Sequence, residues 1–181
     1  MSNNFLEVKN VDFIIGGKTK VKNVSFSIEN EGDTICLLGP SGIGKTTILR
    51  TIAGLEKIQK GSIKLNGKVL SSKEINVEPE DRKISLAFQE NSLFPHYTVE
   101  KNILLGEERN KKQKNKKLSF KEIINLLNIS NILKQYPHEI SAGEAQRASL
   151  ARSLLTGADL LLLDEPLSNV DQSFKEEIQV R

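Results

Sequence analysis

Residues 39–46, Gly-Pro-Ser-Gly-Ile-Gly-Lys-Thr, match the pattern G-x-x-x-x-G-K-[ST] of a phosphate-binding loop. Glycines in such a loop let backbone N–H groups turn towards phosphate oxygens, and the helix that follows adds the positive end of its dipole. Lys45 can then reach the β- and γ-phosphates of a nucleotide, and the Thr46 hydroxyl can ligate Mg²⁺. The sequence therefore predicts nucleotide binding by Gly39, Pro40, Ser41, Gly42, Ile43, Gly44, Lys45, Thr46 and Thr47.

A second group of candidate residues follows an apolar run near the end of the chain. Leu160–Leu163 has the continuous apolar character of a strand that is buried on both faces, and Asp164 and Glu165 follow it. Beside a phosphate loop, Asp164 can hold Mg²⁺ through water, and Glu165 can orient or deprotonate an attacking water molecule. The alternative, a strand end with two solvated carboxylates, is less favoured because the phosphate loop is present.

Short strands and helices must hold these residues in place. Thr34–Leu38 is predicted to be a buried strand that leads into the loop, with Cys36 in the core, and residues 47–53 are predicted to form the helix that leaves it. Ile84–Phe88 is predicted to be a further buried strand that ends on Gln89, where α/β sheets bind ligands. The N-terminal part of the chain is predicted to form an antiparallel sheet around the strand that leads into the loop. Its strand candidates are Phe5–Val8, Val11–Ile15 and Val24–Ile28, and its turns are Gly16-Gly17 and the Asn66-Gly67 hairpin.

The middle of the chain changes to a helical pattern. Thr98 can cap a helix that starts at Val99, and Ser119-x-x-Glu122 is a capping box in front of an apolar helix face. A basic run at residues 110–117 lies between them, and we interpret it as a solvated linker, with an anionic lipid surface or a protein partner as the alternative. The remaining predicted elements are a helix ending at Leu155, a turn at Ser168–Asp171 and a last helix from Gln172 to Arg181.

The composition restricts the class of protein. The chain has 181 residues, of which 38% are hydrophobic and 27% are charged, as in an ordinary globular domain. Its net charge of +3 is too small to indicate nucleic-acid binding by itself. The single cysteine excludes an internal disulfide and fits a reducing compartment. Because the N-terminus has no signal pattern and no apolar run approaches about 18 residues, we expect neither secretion nor a membrane span.

With these motifs in this order, the sequence from about Phe5 onwards resembles the ATP-binding subunit of an ABC (ATP-binding cassette) transporter. Residues 39–46 resemble the Walker A motif, Phe88-Gln89 the Q-loop, Ile140–Glu144 the signature motif, Leu160–Glu165 the Walker B motif with its catalytic glutamate, and Ser168–Asp171 the D-loop. The stretches at residues 93–96 and 136–139 are most similar to bacterial importer ATPases.

This resemblance implies an α/β fold, in which a P-loop NTPase core of ABC type carries an N-terminal antiparallel β subdomain and an inserted α-helical subdomain. It places the core and the β subdomain at residues 1–90, the helical subdomain at 91–156 and the return to the core at 157–181. It also implies an ATPase that uses ATP and Mg²⁺. The implied catalytic residues are Glu165, Gln89 and Lys45, and the implied metal site comprises Thr46, Gln89 and Asp164.

The resemblance further implies partners. Two ATP-binding subunits pair head to tail, so that each presents its signature residues, here Ser141, Ala142, Gly143 and Glu144, to the ATP of the other. Transmembrane permease subunits and a solute-binding protein complete such a transporter, and the chain is expected on the cytoplasmic side of the cell membrane. The sequence does not indicate the solute, because the partner subunits select it. An ABC ATPase acting on nucleic acid is the less favoured class, since no coiled-coil or zinc insertion lies between Gln89 and Ser141.

The sequence departs from the family pattern at three places. The usual signature is Leu-Ser-Gly-Gly-Gln, so Ala142 needs a negative φ, and Glu144 either closes a capping box with Ser141 or contacts a ribose. The position aligned with an adenine-stacking aromatic is Ile15, with Phe13 on the same strand face as the alternative contact. The 181 residues do not reach the family's C-terminal histidine, which predicts, as the alternative function, a nucleotide-binding module with little turnover.

Overall fold

The computed structural model describes residues 4–15, 18–88, 92–110 and 118–164, except for the side chains of residues 14, 15, 18–20 and 110. The chain divides into two compact units, residues 1–84 and 85–181. Several predicted features lie outside the described residues: the Gly16-Gly17 turn, most of the basic run at 111–117, the turn at Ser168–Asp171 and the last helix from Gln172.

The first unit is built on an antiparallel sheet, as predicted. Its strands β1 (Leu6–Ile15), β2 (Lys18–Ile28), β3 (Ser62–Leu65) and β4 (Lys68–Ser71) lie in the order β2-β1-β3-β4. The predicted hairpin turn joins β3 to β4, and Asn66 and Gly67 both have the positive φ values, 49° and 75°, that such a turn needs. β1 is one strand where the sequence predicted two; its register shifts between Val8 and Val11, where Asn10 has a φ of 50°.

One helix, α1 (Lys45–Ala53), contacts β1 in this unit. The C-terminal end of α1 is its buried end, since Thr51, Ile52 and Ala53 are buried there. Gly54 ends the helix with a φ of 92°, and its N–H group donates to carbonyl oxygens of the last turn. The core of the unit consists mainly of Leu6, Val8, Val11, Phe13, Ile52, Ile63, Leu65 and Leu70. α1 is therefore anchored at one end and carries the glycine-rich loop at the other.

The predicted buried strand at Thr34–Leu38 is wrong. Residues 33–40 have no regular secondary structure and pair with no described strand. Ile35 and Leu38 are 42% and 87% exposed, and Cys36 is exposed rather than in the core. An apolar run becomes a buried strand only where neighbouring strands satisfy its backbone N–H and C=O groups. The described strands of this unit form their four-stranded sheet without this segment.

In its described residues, the second unit combines a small sheet with three α-helices. Strands β5 (Ile84–Ala87) and β6 (Leu160–Leu163) pair with each other, and the helices are α2 (Val99–Asn110), α3 (Phe120–Leu126) and α4 (Ala142–Leu155). The two predicted helix starts are confirmed. Thr98 Oγ1 accepts a hydrogen bond from the Lys101 N–H group (3.3 Å), and Ser119 and Glu122 form the capping box. β6 is less buried than predicted, since Leu163 is 41% exposed.

α2 and α4 form the main helix pair of this unit. Their backbones approach closely at Gly106, where an added Cβ atom would lie 2.2 Å from the Arg152 carbonyl oxygen. Asn102 is fully buried on α2 and fixes the preceding turn. Its side-chain oxygen accepts from the Phe94 N–H group at 2.7 Å, and its amide nitrogen donates to the carbonyl oxygens of Phe94, Tyr97 and Thr98, each at 3.1 Å. The apolar core around them contains Val99, Ile103, Ile123, Leu127, Ile129, Ile132, Ala148, Ala151 and Leu155.

Candidate functional site

The glycine-rich loop leads directly into α1, as its motif predicts. Lys45 is the first residue of the helix, and Gly42 and Gly44 have φ values of 79° and 112°, which favour glycine. Residues 38–43 are exposed, Gly44 is buried, and Thr46 is exposed in the first turn. The loop is therefore accessible to a ligand, and its course depends on residues that lack a Cβ atom.

The N-terminal end of α1 offers backbone donors to an anion. Gly44 is the N-cap residue and provides no side-chain cap. Among the described residues, no protein group accepts a hydrogen bond from the N–H groups of Gly42 and Gly44. The first N–H groups of a helix need acceptors, and the helix dipole favours negative charge there. The donor set therefore fits the phosphate groups that the sequence predicts.

The side chain of Lys45 folds back onto the loop. Its Nζ atom donates to the carbonyl oxygens of Gly39 at 2.8 Å and Pro40 at 3.1 Å. One ammonium group thus holds the start of the loop close to the start of the helix. It carries a third donor, and it is the cation that a phosphate at this helix end would meet first.

The two candidates for the adenine contact differ in accessibility. Phe13 is fully buried in the first unit, so its ring has no face exposed to a ligand. This burial argues against the Phe13 contact that the strand pattern suggested. The side chain of Ile15 lies outside the described residues, although its backbone pairs with Lys18 at the end of β1.

The signature residues form the N-terminal end of α4. Ser141 is the N-cap, Ala142 is the first helical residue, and Gly143 and Glu144 follow in the first turn. Ala142 is not among the described residues with positive φ, so it fits where the family has glycine. Ser141 and Ala142 are exposed. This helix end is therefore accessible to another molecule.

Glu144 closes a capping box with Ser141, which is one of its two predicted roles. Its carboxylate accepts hydrogen bonds from the Ser141 N–H group at 2.9 Å and from the Ser141 hydroxyl at 2.8 Å. The Ser141 Oγ atom in turn accepts from the Glu144 N–H group at 3.3 Å. Hydrogen bonding from the Ser141 backbone and hydroxyl lowers the pKa of Glu144, so its carboxylate stays ionised near neutral pH. The helix end thus already holds one negative charge.

Asp164 directly follows β6, as predicted, and it is buried. Its N–H group donates to the Ala87 carbonyl oxygen at 3.0 Å, which extends the pairing of β6 with β5 by one bond. Carboxylate and hydroxyl oxygens are ligands that suit Mg²⁺, so the chemistry of Asp164 and Thr46 fits this ion. Gln89 and Glu165, the other two residues predicted to act at the metal or on water, lie outside the described residues.

Two arginines that the motifs do not include are removed from solvent, Arg152 partly and Arg82 fully. Arg152 on α4 donates to the Ser92 carbonyl oxygen at 3.0 Å and to its hydroxyl at 2.6 Å, and its guanidinium lies 5.7 Å from the centroid of the Phe94 ring. Burial lowers the pKa of Arg152. Arg82 is fully buried beside the C-terminal end of α1. The sequence signal that bears on this contact is Gly54, which predicts a helix end whose carbonyl oxygens need donors, but it does not indicate that Arg82 supplies them.

Among the described residues, no helix is long and apolar enough to cross a membrane. Within the same residues, no cluster of three or more His, Cys, Asp or Glu side chains could by itself hold a metal ion.

Comparison with known proteins gives concordant matches. The family described as ABC transporter matches residues 21–168. The chain is 41% identical over 176 residues to the spermidine/putrescine import ATP-binding protein of Nitrosospira multiformis, covering 97% of the chain and 47% of that protein. It is 37% identical to the Fe(3+) ions import ATP-binding protein of Fusobacterium nucleatum, covering 96% and 46%. A solved structure described as a "putative ABC transporter (ATP-binding protein)" from Pyrococcus furiosus matches with a TM-score of 0.76 and 26% identity, covering 97% of this chain and 82% of that one. The chain thus spans about half the length of the curated relatives that it matches.

Proposed function

The chain belongs to the ABC transporter family, and on that premise we propose that it binds Mg·ATP at residues 39–47 and hydrolyses it to power the import of a solute through separate membrane subunits. The observation that carries the proposal is the helix end at Gly44 and Lys45. There, backbone N–H groups that have no acceptor among the described residues, the helix dipole and an ammonium group coincide.

In this proposal the residues of the chain divide the work. The loop N–H groups and Lys45 bind the phosphates, Thr46 and Asp164 hold the Mg²⁺ ion with Gln89, and Glu165 orients and deprotonates the attacking water. When bound, Mg²⁺ neutralises charge on the phosphate oxygens. The assignment rests on the chemistry of these side chains, because hydroxyl and carboxylate oxygens are ligands that suit Mg²⁺.

Hydrolysis is proposed to need a second ATP-binding subunit. The N-terminal end of α4, where Ser141 is an exposed N-cap and Glu144 accepts from its N–H group, offers the positive end of the helix dipole to a phosphate. A head-to-tail dimer would bring this helix end of one subunit to the γ-phosphate held by the other. Permease subunits and a solute-binding protein complete the proposed transporter, with this chain on the cytoplasmic side of the membrane and without a nucleic-acid partner.

The names of the relatives suggest a class of cargo. The two relatives described above are import ATP-binding proteins for spermidine and putrescine and for Fe(3+) ions, all of which are cations. We extend this class, a small cationic solute, to the complete transporter. Membrane vesicles that carry the whole transporter can be prepared with the ATP-binding subunits on the inside and loaded with ATP. Such vesicles should take up a labelled polyamine or Fe³⁺ from the medium. Equal uptake by vesicles with a Glu165→Gln subunit would contradict an ATP-driven import of these cations.

Lys45→Ala tests nucleotide binding. Removal of the Lys45 ammonium group should lower Mg·ATP affinity by about 10²-fold, since hydrogen bonds to charged groups contribute about 1.5–3 kcal/mol each. Isothermal titration calorimetry measures the change. Lys57→Ala is the matched control, because Lys57 is an exposed lysine beyond the other end of α1. Unchanged affinity in Lys45→Ala would refute the site.

Glu165→Gln separates binding from turnover. If the chain hydrolyses ATP, this variant should bind Mg·ATP like the wild type while steady-state phosphate release falls by at least about 10²-fold. Wild-type protein that binds Mg·ATP but releases phosphate no faster than this variant would favour a binding module with little turnover. The import ATP-binding relatives favour the active enzyme.

A further inference from the structure

Arg82 is the largest fully buried side chain of the described residues, and its guanidinium joins three segments of the first unit. Its Nη1 atom donates to the carbonyl oxygens of Thr51 at 3.2 Å and Ile52 at 2.7 Å, in the last turn of α1. The Nη2 and Nε atoms donate to β4 and to the loop that follows it. Their acceptors are the Leu70 carbonyl at 3.2 Å, the Ser71 hydroxyl at 2.8 Å, the Asn76 side chain at 3.2 Å and the Val77 carbonyl at 2.8 Å.

The partners of Arg82 are neutral oxygens, yet the group remains charged. Burial lowers its pKa to about 10, and the nearby Glu78 opposes this shift. At pH 7 the guanidinium is therefore still protonated. A cation at the C-terminal end of a helix interacts favourably with the helix dipole and with the carbonyl groups that have no partner inside the helix. Arg82 thus acts as a buried, charged C-terminal cap of α1.

The end of α1 is shaped to admit this cap. A Cβ atom added to Gly54 would lie 2.5 Å from Arg82 Nε and 2.8 Å from Cζ. Gly54 therefore serves both the positive φ at the helix end and the close approach of the guanidinium. Few side chains could replace Arg82, because its planar group supplies five N–H donors in a fixed arrangement.

We propose that Arg82 is a positioning residue for the phosphate loop, because it fixes the C-terminal end of the same helix whose N-terminal end carries Gly44 and Lys45. α1 has nine residues and is therefore a rod of roughly 13 Å. A tilt or shift at its anchored end moves the donors at its other end, and a displacement of about 1 Å is enough to weaken a charged contact strongly. This inference rests on the proposed nucleotide binding.

The first test compares variants of the whole chain. Arg82→Met should lower Mg·ATP affinity by about tenfold or more at a temperature at which the variant is folded, and Arg82→Lys should recover part of the loss because it restores a cation. Arg50→Met is the matched control, since it removes the partly exposed arginine of the same last turn, which pairs with Glu56, and leaves Arg82 and its hydrogen bonds in place. Folded Arg82→Met with wild-type affinity would overturn the inference.

A second test uses wild-type protein and does not depend on whether Arg82→Met folds. Coupling between two sites is reciprocal, so a nucleotide at the loop must in turn stabilise the cap. Saturating Mg·ATP should slow hydrogen exchange at the Arg82 Nε–H group, which NMR can follow. The expected factor is about the same as the factor by which Arg82→Met lowers Mg·ATP affinity. Unchanged exchange would refute the coupling. Wild-type protein that binds no Mg·ATP would instead refute the proposed function.

Discussion

Gly106→Ala tests how closely α2 and α4 pack in the helical part of the chain. The new methyl carbon would lie 2.2 Å from the Arg152 carbonyl oxygen and 3.2 Å from the Leu155 Cβ atom. The first distance is about 0.8 Å below the 3.0 Å that Cβ atoms respect in real proteins, so the helices must separate. The carbonyl cannot turn away, because it belongs to the backbone of α4.

Two effects of opposite sign determine the size of the change. Alanine favours a helix over glycine by about 0.5–1 kcal/mol. Overpacking of a close contact costs about 1–3 kcal/mol. We therefore expect a net loss of about 1 kcal/mol in the free energy of unfolding, and the Tm should fall by about 2–4 °C.

Urea unfolding followed by circular dichroism, together with amide hydrogen exchange in α2 and α4, measures this loss. Hydrogen exchange is included because the two units of the chain need not unfold together. Glu108→Ala is the control, since Glu108 is an exposed residue of the same helix and its replacement should change stability by less than about 0.5 kcal/mol. If Gly106→Ala instead stabilised the protein by the full helix preference, the close approach of the two helices would be refuted.

Three further predictions concern the second unit and its signature residues. Ser141→Arg should leave Mg·ATP binding by the isolated subunit unchanged but abolish ATP-dependent pairing in a Glu165→Gln background, as measured by size-exclusion chromatography; a dimer that survives would exclude the signature role. The lowered pKa of Glu144 means that its capping contribution is complete above the unfolded-state pKa and is lost as the pH falls through the folded-state pKa. The stability difference between wild type and Glu144→Gln should therefore shrink below about pH 4.5, and a difference that is independent of pH would contradict the capping box. Asn102→Ala should cost about 2–3 kcal/mol in urea unfolding, because it leaves the buried N–H and carbonyl groups around Phe94 without partners, and a loss below about 0.5 kcal/mol would contradict this role.

The sequence predicted those features whose signals are local. The helix starts at Val99 and Phe120 are encoded by a capping residue within a few positions, and the structure confirms them. The Asn66-Gly67 hairpin and the course of the glycine-rich loop into α1 are local in the same sense. In each case the structure is determined by one or two hydrogen bonds or backbone dihedral angles, and the residues involved lie within a few positions of one another in the sequence.

Features that depend on distant parts of the chain were not predictable in this way. Residues 34–38 have the composition of a strand, but strand formation depends on pairing partners that the run itself does not encode. The role of Arg82 depends on the Thr51 carbonyl, 31 residues away in the sequence. The burial of Phe13 likewise results from packing of the whole sheet, and period-2 alternation does not reveal which face is covered.

The contacts of Lys45 limit which amino acid can occupy that position. The ammonium nitrogen is held between the carbonyl oxygens of Gly39 and Pro40 at 2.8 and 3.1 Å, and so it must be a compact charge with donors in several directions. An arginine has the same charge, but its guanidinium is broader and keeps its donors in one plane. Replacement by arginine would therefore keep the net charge of the protein and still open the loop, which makes lysine at this position a requirement of shape as well as of charge.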